Sequence, residues 1–171
     1  RSSAASDVYK RQTALYVNGG SHGAVACGHL IAGNWFGTLG EYDSSVSAGQ
    51  DSTASGGMVA IVAGTTRFVE NHIQPVYTGG INLGVYGKRC IVLFNHVAHG
   101  GSYGMELSED NCVVSGNLIY WNDAKSTSTS SMNIQSGVDR AVVAGNRGGA
   151  RSSITDNSTN SSISNNELGA L

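Results

Sequence analysis

Charged side chains make up only 13% of this sequence, and its carboxylates are the most informative candidates for catalysis. Glycoside hydrolysis needs two carboxyl groups, one acting as the acid and the other as the base or nucleophile. Glu106 stands in the middle of an apolar–polar–apolar segment at 105–107, so its side chain is expected to point outward. Asp123 follows two aromatic residues. We take Glu106 and Asp123 as the candidate catalytic pair. The alternatives are Glu70, Glu109 and Asp110.

Aromatic residues recur at intervals, each in a stretch that also carries Asn, Ser or Gly. Such surfaces are typical of carbohydrate binding, because sugars present C–H faces to rings and hydroxyl groups to amides. The same rings could instead cap a hydrophobic core at a corner, so both interpretations stay open. The candidate carbohydrate-binding residues are Trp35, Tyr77, Tyr103, Tyr120 and Trp121.

The elements that must position these residues are indicated by a repeat: two apolar residues, two further residues and an asparagine. Clear copies occupy 30–34, 91–95, 113–117 and 142–146, and looser copies occupy 67–71 and 162–166. Of the five spacings between neighbouring anchor asparagines, three are 20 to 24 residues and the other two are 37 and 29 residues. The longer steps contain Ser/Thr/Gly-rich insertions at 37–57 and 124–131. Self-similarity at this period predicts a solenoid.

A second apolar pair with an intervening residue precedes most anchors, at 59–61, 81–83, 105–107 and 132–134. Alternation of this kind predicts short strands, so we expect each coil to hold two strands, a turn and an asparagine corner. Coils of this length leave no room for a full helix, and the leucine-rich-repeat frame is absent from the sequence. A parallel β-solenoid with coils about 4.8 Å apart fits best.

This pattern resembles the right-handed parallel β-helix superfamily, which includes pectate lyases, polygalacturonases and phage tailspikes. The resemblance covers roughly residues 30–168 and implies an all-β, right-handed, single-stranded parallel β-helix of about six coils. It also implies a column of inward asparagines, since each amide can donate to and accept from the same amide one coil away. The expected ladder consists of Asn34, Asn71, Asn95, Asn117, Asn146 and Asn166.

The catalytic signatures of that superfamily are absent from this sequence. It has no aspartate cluster of the pectate-lyase kind. It also lacks the Asn-Thr-Asp, Asp-Asp and Gly-His-Gly motifs of polygalacturonases, since residues 98–101, Ala-His-Gly-Gly, match the last of these only in part. A lyase mechanism would use Lys88 or Arg89 as the base. Opposite charges at 88–89, 109–110 and 139–140, in equivalent turns, instead predict surface ion pairs that contribute little stability each.

Alternation also assigns faces. The column three residues before each anchor should be core, and it comprises Ile31, Phe68, Val92, Val114, Val143 and Ile163. Five residues before two of the anchors lie Cys90 and Cys112, which we expect to stack as packed thiols and not as a disulfide. Four residues before the anchors an outward stripe contains four apolar residues: Leu30, Ile91, Val113 and Val142. Either the chain's own loops cover this stripe or it forms a subunit interface, as in trimeric tailspikes.

His72 and His96 directly follow anchors, so they should share one outward column with Trp35 and Leu118. Two histidines one coil apart could share a metal ion, but no third ligand is evident in the sequence. We therefore predict neither a metal site nor a cofactor, and calcium would have no clear site.

Composition excludes several function classes. Charged residues make up 13% of the chain and the net charge is −2, which does not suit a nucleic-acid partner. No apolar run approaches the roughly 20 residues of a membrane-spanning helix. Residues 1–12 resemble a translated adapter, so we expect the β-helix domain to span 13–171 and the chain to be a piece of a longer protein.

Together these observations predict an extracellular or virion-associated β-helix that binds or degrades a polysaccharide, as a lyase, a hydrolase or part of a phage tailspike. A homotrimer is the oligomer that the resemblance implies. The alternative is a non-catalytic adhesin or a structural solenoid. A shared groove of carboxylates and rings would favour the enzyme, and inward rings with scattered carboxylates would favour the adhesin.

Overall fold

The computed structural model describes residues 15–17, 28–36, 57–73, 81–99, 103–121, 131–148 and 153–168. These residues form a parallel β-solenoid built from eighteen short strands. In chain order the strands are β1 (Leu15–Val17), β2 (Leu30–Ala32), β3 (Trp35–Phe36), β4 (Gly57–Ile61), β5 (Arg67–Val69), β6 (His72–Ile73), β7 (Ile81–Val85), β8 (Ile91–Leu93), β9 (His96–His99), β10 (Tyr103–Leu107), β11 (Val113–Ser115), β12 (Leu118–Trp121), β13 (Met132–Ile134), β14 (Val142–Ala144), β15 (Arg147–Gly148), β16 (Ile154–Asp156), β17 (Ser162–Ser164) and β18 (Glu167–Leu168).

The strands form three parallel sheets of six strands each. Sheet A has the order β1-β4-β7-β10-β13-β16, sheet B β2-β5-β8-β11-β14-β17, and sheet C β3-β6-β9-β12-β15-β18. Consecutive strands along the chain therefore belong to different sheets, and every third strand pairs in parallel. This arrangement confirms the parallel β-solenoid that the repeat predicts. Within the described ranges, no helix has the length and apolarity to span a membrane.

The expected pair of strands per coil is wrong, because a third strand directly follows each asparagine anchor. These strands form sheet C, and they are only two to four residues long. In strands this short, the alternation of apolar and polar residues covers too few positions to be recognised in the sequence. The aromatic residues after the anchors at 34 and 117 are consequently strand residues and do not belong to a turn. Gly57, which we expected to end the first insertion, begins β4.

Apolar columns from the three sheets meet in one core. Phe68, Val92, Val114 and Val143 are fully buried, as their position three residues before the anchors predicts. Sheet C contributes Ile73, Val97 and Ile119. Burying a side chain of this size stabilises the fold by roughly 1.5–3 kcal/mol. At the ends of the column, Ile31 and Ile163 are only partly buried.

The asparagine ladder is present at the corner between sheets B and C. Each Nδ2 donates to the Oδ1 of the next asparagine along the chain, over 2.9–3.1 Å. Each of these Oδ1 atoms also accepts the backbone N–H of the preceding asparagine, over 2.9–3.1 Å. From Asn71 onward, Nδ2 donates in addition to a backbone carbonyl one coil earlier. These buried polar groups are therefore satisfied within the column.

The two cysteines that the structure describes lie one above the other on the inward side. Both Cys90 and Cys112 are free and buried, which confirms packed thiols. Their thiols donate to backbone carbonyls, Cys90 to Ala63 over 3.5 Å and Cys112 to Gly87 over 3.3 Å. They act as small core residues.

Candidate functional site

A row of aromatic and imidazole rings crosses the outer face of sheet C. We call Trp35, His72, His96 and Tyr120 the ring row. Trp35, His72 and His96 occupy equivalent positions on neighbouring strands. The next positions in that column are Leu118, Arg147 and Glu167, as the sequence predicts. Tyr120 lies two residues along β12 and leans onto His96.

The rings contact one another in sequence along the row. Trp35 and His72 are stacked face to face, with centroids 3.9 Å apart and planes 3° apart. His72 and His96 meet edge to face at 4.5 Å, and His96 lies 4.4 Å from Tyr120. The Nδ1 atoms of His72 and His96 are 3.0 Å apart, so one imidazole donates to the other. Each of the four rings is therefore oriented by its contact with at least one neighbouring ring.

The row is partly open to solvent. Trp35 is 64% exposed even though one of its faces lies on His72, so its opposite face and edges are accessible. Burial lowers the pKa of His72. Burial, and then the charge of His72, lowers the pKa of His96. Both imidazoles are therefore neutral at pH 7, and they present nitrogen atoms beside aromatic surfaces.

Two of the five expected sugar-binding aromatics, Trp35 and Tyr120, belong to this row, where the histidines connect them. Trp121 ends β12, but its side chain lies outside the described residues, as does all of Tyr77. Tyr103 lies on β10 in sheet A, opposite Ile81, and so belongs to another sheet. Sequence reasoning placed the histidines in the right column but missed their contacts with the rings.

Glu106, the first candidate catalytic carboxylate, lies on the outer side of sheet A yet is only 7% exposed. Its Oε1 accepts from the Tyr86 hydroxyl over 3.2 Å, and its Oε2 accepts from Asn133 Nδ2 over 3.0 Å. Asn133 is its register partner on β13. Both carboxylate oxygens are thus held in place. Asp123, the second candidate, lies outside the described residues.

Glycine at position 84 explains how Tyr86 reaches Glu106. In β7 the residue opposite Glu106 is Gly84, and the same column includes Ala60. A Cβ at Gly84 would collide with the Tyr86 ring, so the ring occupies the space that a side chain would fill. The sequence-based register, which placed Asn82 in this column, is wrong by two residues.

Tyr86 should respond to alkaline pH. Burial raises the pKa of its hydroxyl, and the nearby Glu106 charge and the hydrogen bond to Glu106 raise it further. An unfolded tyrosine loses its proton near pH 10, whereas folded Tyr86 keeps it to higher pH. Its contribution to stability is therefore full below about pH 10 and is lost as the pH rises above that value.

We expect a tyrosine ionisation step well above pH 10 when tyrosinate absorbance is followed to high pH. Tyr86→Phe should remove that late step, and the stability difference between the two proteins should shrink above about pH 10. Tyr120→Phe serves as the matched control and should leave the late step in place. If the unsubstituted protein shows no tyrosine ionisation step above about pH 10, the Tyr86–Glu106 contact is excluded.

Lys88 and the carboxylates of the next turn form a surface ion-pair group between neighbouring coils. Lys88 Nζ lies 3.7 Å from Glu109 and 3.5 Å from Asp110, which confirms the predicted pairing of opposite charges across coils. The backbone N–H of Asp139 donates to Asp110 over 2.9 Å. This hydrogen bond is the main reason that the pKa of Asp110 is lowered, with Lys88 adding to it. Such exposed pairs indicate structure and not catalysis.

The outer face of sheet B is apolar and open. Leu30 is 70% exposed and Val142 42%, and Ile91 and Val113 are half-buried. Phe94, in the turn directly after β8, is 62% exposed. The outward direction of this stripe is as predicted. Phe94 adopts φ 55°, and its ring lies over the position that a Cβ of Gly116 would occupy. An apolar face of this kind usually marks an interaction surface.

Among the described residues, no group of three or more His, Cys, Asp or Glu side chains converges as a metal site. The ring row lies on sheet C, whereas Glu106 and its partners Tyr86 and Asn133 lie at sheet A. The two groups are therefore separate candidate sites. No protein-family model, curated protein or solved structure matches this chain.

Proposed function

We propose that this chain is a polysaccharide-binding β-helix and that the ring row is its binding surface. The observation that carries the proposal is the exposed Trp35 ring, held by a flat stack on His72 with one face free. Sugar C–H faces pack on such rings. The Tyr120 hydroxyl and the imidazole nitrogens supply hydrogen-bonding partners for sugar hydroxyl groups.

The dimensions of the row favour an oligosaccharide over a single sugar. The row crosses four neighbouring strands of sheet C, from β3 to β12. At about 4.8 Å per strand this is a length of about 14 Å. Because the scaffold beneath is a hydrogen-bonded sheet, the rings are positioned before any ligand arrives, which lowers the entropy lost on binding.

Glycan-array binding followed by affinity measurement with Trp35→Ala tests the proposal. We expect about a tenfold loss, because a ring contact and its buried area together contribute on the order of 1–2 kcal/mol. Trp121→Ala, one residue beyond Tyr120, should also weaken binding. Phe94→Ala is the matched control, since it removes an exposed ring from the turn after β8, outside the ring row, and should leave affinity unchanged.

Two results would contradict the proposal. The first is an array without any glycan bound by the unsubstituted protein. The second is equal loss in the Trp35 and Phe94 variants, which would place binding elsewhere or indicate general destabilisation. Melting temperatures of the three proteins separate these cases, because Trp35 is mostly exposed and its replacement should shift melting by only a few degrees.

A degrading activity is the second part of the proposal. Glu106 and Asp123 would be the two carboxylates of the reaction, on a lyase-like or hydrolase-like β-helix of the pectin-lyase or tailspike kind. Glu106→Gln should abolish release of oligosaccharides from any polymer that the ring row binds, while binding persists. Full activity of that variant would remove Glu106 from catalysis and leave a binding protein.

The finer fold assignment belongs to the same proposal. We infer a right-handed coil, because crossover connections between parallel strands are right-handed in nearly all known cases. An extracellular or virion-associated location follows from the polysaccharide partner.

The alternative function is a non-catalytic adhesin or structural solenoid that associates through sheet B. The specific support is the outward apolar stripe of Leu30, Ile91, Val113 and Val142, of which Leu30 and Val142 are exposed. A tailspike piece would use the same stripe to form a homotrimer. Sedimentation equilibrium should then give three times the monomer mass, and Val142→Asp should return the protein to a monomer. A monomeric unsubstituted protein at high concentration would exclude the trimer and leave the stripe to a different protein partner.

A further inference from the structure

We propose that His72 and His96 form a two-histidine site for a divalent late-transition-metal ion, with Cu²⁺ as the preferred ion. The two residues are register partners on β6 and β9, and their Nδ1 atoms approach to 3.0 Å. Two ring nitrogens at this separation need a proton or a cation between them. In the metal-free protein one Nδ1 carries the proton. When that proton moves to Nε2 of the same ring, both Nδ1 lone pairs become available to an ion.

The separation of the nitrogens selects the geometry of the ion. Metal–imidazole bonds of about 2.0 Å that span 3.0 Å enclose an angle of about 97° at the metal. This angle is close to the right angle of tetragonal Cu²⁺ or Ni²⁺ and smaller than the tetrahedral angle that Zn²⁺ prefers. Cu²⁺ also binds nitrogen ligands most tightly among the first-row divalent ions. Both considerations favour copper.

The surrounding residues hold the two ligands in place. Trp35 stacks flat on the His72 ring, and Tyr120 packs 4.4 Å from His96. Directly before each histidine stands a ladder residue, Asn71 or Asn95, that is buried and hydrogen-bonded. The rings therefore lose little further freedom when an ion binds. The depressed pKa of each histidine agrees with neutral ligands at pH 7.

The two histidines occupy only two of the coordination positions of the metal ion, and the others stay open. In the described part of the chain, no third histidine, cysteine or carboxylate joins the pair. Water or an exogenous ligand would complete the coordination, so we expect micromolar affinity and not the tight binding of a closed structural site. The inference does not depend on glycan binding, because it rests on the two imidazoles alone.

Trp35 provides a direct readout, since it contacts one of the proposed ligands. The chain has two tryptophans, so Trp121→Phe leaves Trp35 as the sole tryptophan whose fluorescence is excited selectively over that of the tyrosines. In that background, CuCl2 at pH 7.5 should quench the fluorescence saturably with one equivalent bound. His96→Gln, which keeps the Trp35–His72 stack, should weaken binding at least tenfold. His29→Gln is the matched control at an exposed histidine and should leave binding unchanged.

Two further measurements keep the test decisive. Electron paramagnetic resonance of the copper complex should show coupling to two imidazole nitrogens in the Trp121→Phe protein and to one in the His96→Gln variant. Copper should raise the melting temperature of the former and not that of the latter. Unchanged affinity in His96→Gln, equal loss in His29→Gln, or ZnCl2 binding as tightly as CuCl2 would overturn the assignment.

Discussion

Replacing Asn117 with leucine should lower the free energy of unfolding by about 3–5 kcal/mol, because it leaves several buried polar groups without partners. The Asn117 Oδ1 accepts both the backbone N–H and the Nδ2 of Asn95. Its Nδ2 donates to Asn146 Oδ1 and to the carbonyls of Val92 and Ser115. Leucine has a similar volume and makes none of these bonds. Thermal and urea unfolding measure the loss.

Two matched variants separate hydrogen bonding from packing. Asn117→Asp keeps the shape and the acceptor but removes the Nδ2 donor and introduces a buried charge, so we expect a loss at least as large. Asn34→Leu changes an exposed ladder residue at the edge of sheets B and C, and it should cost about 1 kcal/mol or less. An Asn117→Leu protein that is soluble, with an unchanged melting temperature, would contradict a stabilising ladder.

The ladder and the core columns could be predicted because they follow from a local rule. An asparagine three residues after a buried branched residue recurs along the chain, and its position fixes which side chains turn inward. Counting residues from the anchor asparagine also placed two pairs of side chains in the right columns, the thiols of Cys90 and Cys112 and the imidazoles of His72 and His96. Sequence position along a regular coil therefore translates directly into position in space.

The register of β7 could not be predicted, because its sequence contains two overlapping alternating triplets. Both 81–83 and 83–85 read apolar–any–apolar, and only the second pairs with Met105–Leu107. The choice depends on Gly84, whose missing side chain admits the Tyr86 ring. A contact of this kind joins residues outside the repeat pattern, so the Tyr86–Glu106 hydrogen bond left no signal in the sequence.

The candidate site was only partly visible for a related reason. Sheet C strands are two to four residues long, so they were interpreted as turns and the ring row as a set of separate aromatics. Their pairing aligns Trp35 with His72 and His96, and this alignment creates ring contacts that composition does not contain. The scaffold is determined by the inward columns, which the repeat predicts. The candidate site is formed by outward side chains, and the register of the strand pairs decides which of them come into contact.

Gly87→Ala should lower the free energy of unfolding by about 3 kcal/mol, because the added methyl group would collide with backbone atoms that cannot rotate away. Gly87 lies in the turn between sheets A and B, and a Cβ there would contact the Ala63 carbonyl oxygen and lie 2.6 Å from the carbonyl carbon. Gly64 N would be 2.9 Å away. Relief requires that two neighbouring coils separate, which disturbs the parallel ladders on both sides.

Gly64→Ala is the graded control for this effect. Its Cβ would lie 3.0 Å from the Lys88 carbonyl oxygen, so a shift of a few tenths of an ångström suffices and a loss of about 1 kcal/mol or less is expected. For a chain of this length, the Gly87 variant should melt roughly 6–12 °C below the unsubstituted protein. A Gly87→Ala protein that melts at the same temperature as the unsubstituted protein would show that the coils can separate at this turn without loss. The close stacking of the Ala63 and Gly87 turns would then contribute nothing to the rigidity of the solenoid.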